Sequence, residues 1–143
     1  LKLDLEGKEL LDMGCGTAVL AILAAKKGAA RIEAIDIDEW AYNNALENIE
    51  TNNTPNVKIY LGGAEQIAPL GKFDVVFANI NRNILLNDMA HYSACMKPNG
   101  VLYMSGFYTE DIPAIAESCT NNGLKLVSYA EKNNWVAVRV EKQ

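Results

Sequence analysis

Apolar residues along the chain fall in short runs separated by longer stretches in which they recur at helical spacing. Residues 8–13 form a short apolar run that predicts a first strand. Residues 19–27, rich in Ala and Leu and stopped at Gly28, predict a helix. Residues 31–37 predict a second strand. Residues 38–52 start acidic and carry apolar Trp40, Ala41, Ala45 and Ile49 with polar residues between, an amphipathic helix broken at Pro55. Val57–Leu61 predicts a third strand, residues 64–67 a short turn or helix, and residues 73–78 a fourth strand. Residues 84–96 predict a helix closed by the turn signal Lys97-Pro98-Asn99-Gly100, and residues 101–105 a fifth strand. Thr109-Glu110-Asp111-Ile112-Pro113 opens a last helix that ends near Asn122-Gly123. Residues 124–130 and 135–140 then read as two strands joined at Glu131-Lys132-Asn133-Asn134. Strands alternating with helices, then a hairpin, imply an α/β fold. Its parallel sheet is covered on both faces, with a reversed strand inserted late.

Composition changes this picture little. At 143 residues, with half of them hydrophobic and 22% charged, residues 1–143 make one domain with a single real core. No apolar run approaches a membrane span and no leader pattern opens the chain, so no membrane partner is expected. Cys15, Cys95 and Cys119 are odd in number and widely spaced. They suit neither a disulfide framework nor a metal site, and a reducing cytoplasm is the expected setting. The net charge of −5 argues against a broad nucleic-acid surface and mildly favours a basic partner. His91, the single histidine, sits in a predicted helix and reads as structural. Residues 1–6 look like the end of a helix and a connection, so the full protein is expected to extend upstream.

The chemistry concentrates in two places. Leu11-Asp12-Met13-Gly14-Cys15-Gly16-Thr17-Ala18 lies between the first strand and the first helix, and Ala34-Ile35-Asp36-Ile37-Asp38 ends the second strand. Strand, glycine turn, helix and a strand ending in Asp make a nucleotide-binding half-fold. The glycines let the backbone approach a ligand, the helix start offers N–H groups to an anion, and Asp36 can accept both hydroxyls of a ribose. The turn is not the dinucleotide fingerprint, because Val19 stands where its third glycine would be. Asp12, two residues before the first glycine, would repel phosphate and attract a cation. A ligand with a ribose, a carboxylate and a positive charge near Asp12 fits: S-adenosylmethionine has all three. A turn that only reverses the chain, or a NAD site, are the competing readings.

These residues resemble the class I S-adenosylmethionine-dependent methyltransferases over almost the whole chain. Leu10-Leu11-Asp12-Met13-Gly14-Cys15-Gly16-Thr17, Gly28-Ala29 and Ile35-Asp36-Ile37-Asp38 look most like the ribosomal protein L11 methyltransferases. Phe77-Ala78-Asn79-Ile80 matches that family's Ala-Asn-Ile/Leu signature after the fourth strand. Leu102-Tyr103-Met104-Ser105-Gly106 matches its fifth strand, and Asn134-Trp135 its C-terminal Trp. The resemblance implies a three-layer Rossmann-like fold with a seven-stranded, mostly parallel sheet and an antiparallel C-terminal hairpin. The cofactor, S-adenosylmethionine, would lie across the carboxyl ends of strands one, two and four, and leave as S-adenosylhomocysteine. Carried over residue by residue, Gly14 and Gly16 approach the methionine portion, Asp36 holds the ribose, and Asn79 lies near the transferring methyl group. Ala18 stands where the family usually has glycine, which is expected to add a methyl in a tight turn. The family's N-terminal substrate-recognition domain and its Thr-containing cofactor loop have no counterpart in these residues.

Methyl transfer from a sulfonium to an amine needs alignment more than acid–base chemistry. Asn79 suits the acceptor side, since its carbonyl can accept from a neutral amine without stabilising an ammonium; the bland reading is a polar strand-end cap. Asn81, Arg82 and Asn83 either line an acceptor channel or form a solvated loop. Ala64 and Glu65, after the third strand, are placed to meet adenine, with Glu65 otherwise an exposed helix-start carboxylate. Phe107 and Tyr108 either wall the acceptor site or pack inside, and Trp40 and Trp135 read as core or rim. Cys15 lacks a base and reads as a small residue that fits. The candidate cofactor residues are therefore Asp12, Gly14, Cys15, Gly16, Thr17, Asp36, Ile37, Ala64, Glu65 and Asn79, with Asn79 also catalytic and no metal. The expected function is methylation of protein amines, lysine and N-terminal, with ribosomal protein L11 as partner and without direct nucleic-acid binding. The alternatives are a small-molecule or nucleobase acceptor, or an inactive cofactor-binding module. The absence of Asn-Pro-Pro-aromatic at Asn79-Ile80-Asn81-Arg82 counts against a nucleobase.

Overall fold

The fold is described from a computed structural model, for residues 4–143; of the helix end and connection expected at residues 1–6, residues 1–3 lie outside the described residues, and residues 4–6 form a connection without helix. One seven-stranded sheet carries the architecture, in the order β3-β2-β1-β4-β5-β7-β6. Its strands are β1 (Glu9–Met13), β2 (Arg31–Asp36), β3 (Val57–Leu61), β4 (Phe73–Asn79), β5 (Met96–Tyr108), β6 (Leu124–Lys132) and β7 (Trp135–Lys142). β1 pairs in parallel with β2 and β4, β2 with β3, and β4 with β5; β7 is reversed, antiparallel to both β5 and β6. The reversed strand enters because the hairpin turn is two residues long. Asn133 and Asn134 both hold positive φ (53° and 68°), the backbone a tight twisted hairpin needs and one Asn tolerates.

Alternation along β1 sorts the core into two layers. Leu11 and Met13 face helices α3 (Arg82–Ala94) and α4 (Ile112–Asn121), packing with Leu85, Met89, Tyr92, Ile115 and Cys119. Leu10 faces α1 (Val19–Lys26) and α2 (Glu39–Thr51), packing with Ala21, Ile22, Ala24 and Ala45. A sheet buried on both faces reads as continuous apolar runs, which is why β1 and β4 are legible from composition alone.

The predicted elements recur in the predicted order, with shifted bounds. The third helix starts and ends two residues earlier than the apolar pattern suggests, because Asn81 caps it by accepting from the Ile84 N–H at 3.1 Å. Met96 consequently belongs to β5. Lys97-Pro98-Asn99-Gly100 is an excursion inside that strand, between the register pairs Phe73↔Met96 and Val75↔Val101. Asn81, Arg82 and Asn83 are therefore a cap and first helical turn rather than a loop.

Phe107 is buried core, whereas Tyr108 is half-exposed and meets Trp135 edge-on at 5.4 Å between ring centroids. Neither tryptophan is core: Trp40 and Trp135 are both exposed. No helix among the described residues is long and apolar enough to cross a membrane.

Candidate functional site

The carboxyl ends of β1, β2, β3 and β4 open into one cleft of about 640 Å³. Parallel strands all end on the same side, so the loops that follow them converge there. Met13 and Gly14 supply one wall, Asp36 and Ile37 a second, Gly62, Gly63, Ala64 and Glu65 a third, and Asn79 and Ile80 a fourth. Six of the ten candidate positions thus meet in one cavity: Gly14, Asp36, Ile37, Ala64, Glu65 and Asn79. Asp12, Cys15, Gly16 and Thr17 do not line it; Asp12 lies in β1 and the other three form the turn behind it.

That turn is built against the strands on either side. The N–H groups of Gly14 and Cys15 both donate to the Ile35 carbonyl, at 2.8 and 3.1 Å. Gly14 has φ +71°, and a Cβ there would lie 2.9 Å from Ile80 Cγ1 and 3.2 Å from the Asn79 carbonyl oxygen. Only glycine lets β1 and β4 end this close together. Gly16 donates to Asp36 Oδ2 at 2.8 Å, and the Asp38 N–H donates to Asp36 Oδ1 at 2.9 Å. Each Asp36 oxygen therefore keeps a lone pair for a further donor, and the side chain is aimed by two backbone bonds. Ile37 beside it is 80% exposed, an apolar surface with no protein to cover it.

Asp12 is the unusual group. It is 3% exposed, and its Oδ2 has no hydrogen-bond partner among the described residues. Burial pushes its carboxyl up to about 7, and the neighbouring Asp36 charge adds to the shift. The Cys15 thiol is pushed up to about 12, first by burial and then by Asp12 and Asp36. It carries no thiolate at neutral pH and fits the reading of a small buried residue. Ala18 holds a left-handed φ of 67° as the residue before α1, and no side chain caps that helix. Its methyl packs with the α1 and α2 core rather than toward the cleft, so the departure from glycine strains the backbone without narrowing the cavity.

At the third wall, Glu65 turns back to accept from the Gly63 N–H at 2.9 Å; this bond holds its carboxyl below the ordinary glutamate range. Asn79, at the end of β4, is exposed, and its Oδ1 accepts from the Ser105 hydroxyl at 3.2 Å. Asn81, Arg82 and Asn83 stay out of the cleft, and Arg82 pairs with Asp111 at 3.2 Å.

One wall goes unnoticed in the sequence reading. Ile84, Asn87, Asp88 and His91 of α3 line the cleft, so His91 faces the cavity instead of the core. Their spacing of three, four and seven residues is one helical face, opposite the buried Leu85, Met89 and Tyr92. The signal was a polar stripe on an otherwise core-packed helix. No group of carboxylates, histidines and thiols able to hold a metal occurs among the described residues.

Comparison with known proteins gives a consistent picture. The family model described as "Ribosomal protein L11 methyltransferase (PrmA)" matches residues 2–143. A protein of Bacteroides fragilis named ribosomal protein L11 methyltransferase is 55% identical over 95% of this chain and 49% of its own length. One of the same name from Phocaeicola vulgatus is 52% identical over 97% of this chain and 50% of its own. The chain thus spans about half the length of these relatives. The crystal structure of a ribosomal protein L11 methylase from Lactobacillus delbrueckii superposes with a TM-score of 0.89 at 25% identity, covering 96% of this chain and 72% of that one.

Proposed function

Since the chain belongs to the ribosomal protein L11 methyltransferase family, we propose that residues 1–143 form an S-adenosylmethionine-binding domain that transfers methyl groups to protein amines, those of ribosomal protein L11 above all. The carrying observation is the cleft itself, where a glycine turn, a backbone-aimed carboxylate and Asn79 converge on about 640 Å³. The residues present suit the cofactor. The cradle at Gly14 would be filled by any Cβ, and the unpartnered Oδ2 of Asp12 behind the turn favours a nearby cation. A cytoplasmic setting and a partner surface without nucleic acid belong to the same reading.

S-adenosylmethionine, when bound, supplies a methyl group already activated by its sulfonium charge. Asp36 accepts the ribose hydroxyls with the lone pairs its backbone donors leave free. Gly14 and Gly16 let the main chain approach the methionine portion, with Cys15 and Thr17 completing the turn, and Asp12 stands behind it as counter-charge. Ile37, Ala64 and Glu65 border the adenine. Asn79 accepts an N–H of the neutral acceptor amine, which leaves that amine's lone pair free to attack. Holding acceptor and methyl about 3 Å apart is worth roughly 7–11 kcal/mol of barrier.

Calorimetric titration with S-adenosylhomocysteine, against NAD as control, tests the cofactor assignment, and methylation of recombinant L11 tests the acceptor. Binding of the former alone is expected; binding of NAD alone, or of neither, would sink the cofactor reading.

A further inference from the structure

We propose that Ser105 is a positioning residue for methyl transfer, holding the Asn79 amide so that its carbonyl stays available to the acceptor amine. The inference rests on the reading of Asn79 given above. Asn79, the last residue of β4, and Ser105, within β5, are register partners. The Ser105 hydroxyl donates to Asn79 Oδ1 at 3.2 Å, while Ser105 itself does not line the cleft. It reaches the chemistry only through Asn79.

Orientation matters because the two ends of the amide do opposite things. The torsion that swings an Asn amide is soft, and a half-turn exchanges the carbonyl for the NH₂ group. A carbonyl accepts an N–H from the amine and leaves its lone pair free to attack. An NH₂ group would donate to that same lone pair and tie up the electrons that must form the N–C bond. Oδ1 has two lone pairs, so the bond from Ser105 leaves one for the acceptor. In the transfer the N–C bond forms, the S–C bond breaks with its pair returning to sulfur, and the amine's extra proton leaves afterwards to solvent.

The frame that sets this bond is rigid. The Ile80 N–H donates to the Ser105 carbonyl at 3.1 Å. Gly106 follows at φ +105°, where a Cβ would stand 2.6 Å from the Ile80 carbonyl oxygen. β4 and β5 are thus fastened side by side here, which keeps the Asn79 and Ser105 backbones next to each other.

Ser105→Ala and Ser105→Thr, compared with the unsubstituted chain, provide the test. The readouts are S-adenosylhomocysteine affinity, kcat and KM with recombinant L11, and the Asn79 side-chain amide resonance in ¹⁵N NMR. Loss of the hydroxyl is expected to lower kcat roughly three- to tenfold, with KM and cofactor affinity near unchanged. It should also move the Asn79 side-chain resonance, and Thr should restore both. An unmoved resonance in Ser105→Ala overturns the inference whatever the turnover. So does unchanged kcat, or an equal loss of kcat and affinity that Thr does not rescue. If the unsubstituted chain fails to bind S-adenosylhomocysteine, the functional reading itself fails, and that outcome is separate from all of these.

Discussion

Asp36 illustrates how much one side chain depends on what aims it. Both of its oxygens hold backbone donors, so Asp36→Ala would loosen the turn as well as remove a ribose contact. Asp36→Asn keeps the shape but sets its NH₂ against one of those two N–H donors, so its effect includes that lost bond. It is expected to weaken S-adenosylhomocysteine by about 1.5–3 kcal/mol, the range for hydrogen bonds to a charged group; equal affinities in titration would remove the ribose assignment. Asn79→Ala is expected to lower turnover more than cofactor affinity, and equal losses would mean that Asn79 only places the cofactor. Asp12 gives a prediction of opposite sign. Its carboxyl rises from 3.8 to about 7 on folding, so the folded state holds a proton that the unfolded chain releases. That difference destabilises the fold progressively as pH rises from 3.8 to about 7 and fully above it. Asp12→Asn should therefore stabilise the fold at pH 8 by up to about 4 kcal/mol, read as a raised thermal midpoint, and leave it nearly unchanged at pH 3.5. It should weaken the cofactor at the same time. A midpoint gain independent of pH would contradict this account.

At the scale of elements, the strand ends decide the site. β4 and β5 are fastened by Gly106, where positive φ and the nearby Ile80 carbonyl leave no room for a side chain. Gly106→Ala is expected to cost about 2 kcal/mol or more, read as a lowered denaturant midpoint. The β6–β7 hairpin shows the reverse case. Asn134→Gly relieves a left-handed residue in a two-residue turn and should stabilise by up to about 1 kcal/mol, read as a raised denaturant midpoint. Element boundaries were harder to read than element identity. The start of α3 depends on Asn81 choosing to cap, and the start of β5 on an excursion that looks locally like a turn. Local chemistry at Lys97-Pro98-Asn99-Gly100 gave no sign that the chain was already paired with β4 at Met96.

For the whole molecule, ionisable groups at opposite ends of the sheet set opposing limits on pH. At the amino ends of the strands, Lys97 bridges Glu9 and Asp74 at 2.7 and 3.2 Å, and Arg31 also meets Glu9. Lys97 and then Arg31 hold the Glu9 carboxyl below its ordinary value. Burial opposes the same shift at Asp74, but the Glu9 N–H and Lys97 overcome it. Lowered carboxyls contribute stability above their unfolded values of 4.5 and 3.8, and lose it as pH falls further. Asp12, behind the cleft, removes stability on the alkaline side. The thermal midpoint should accordingly peak near pH 4.5 and fall as pH rises toward about 7. A midpoint still rising at pH 8 would show that Asp12 is not buried as described.

Strand and helix order, the glycine turn, the acidic strand end and Asn79 after β4 were all legible in the chain, because each rests on periodicity or on residues adjacent in sequence. Family resemblance followed from those same short segments. The far wall of the cleft was not legible. Ile84, Asn87, Asp88 and His91 belong to the site only because α3 packs with its other face on the sheet, and one helix alone cannot say what lies opposite it. The partners of Asp36, the orphaned oxygen of Asp12 and the bond from Ser105 to Asn79 were equally hidden. Apart from the local Asp38 N–H bond to Asp36, each joins residues some twenty or more positions apart or depends on burial, and distance and burial exist only once the strands have found their order.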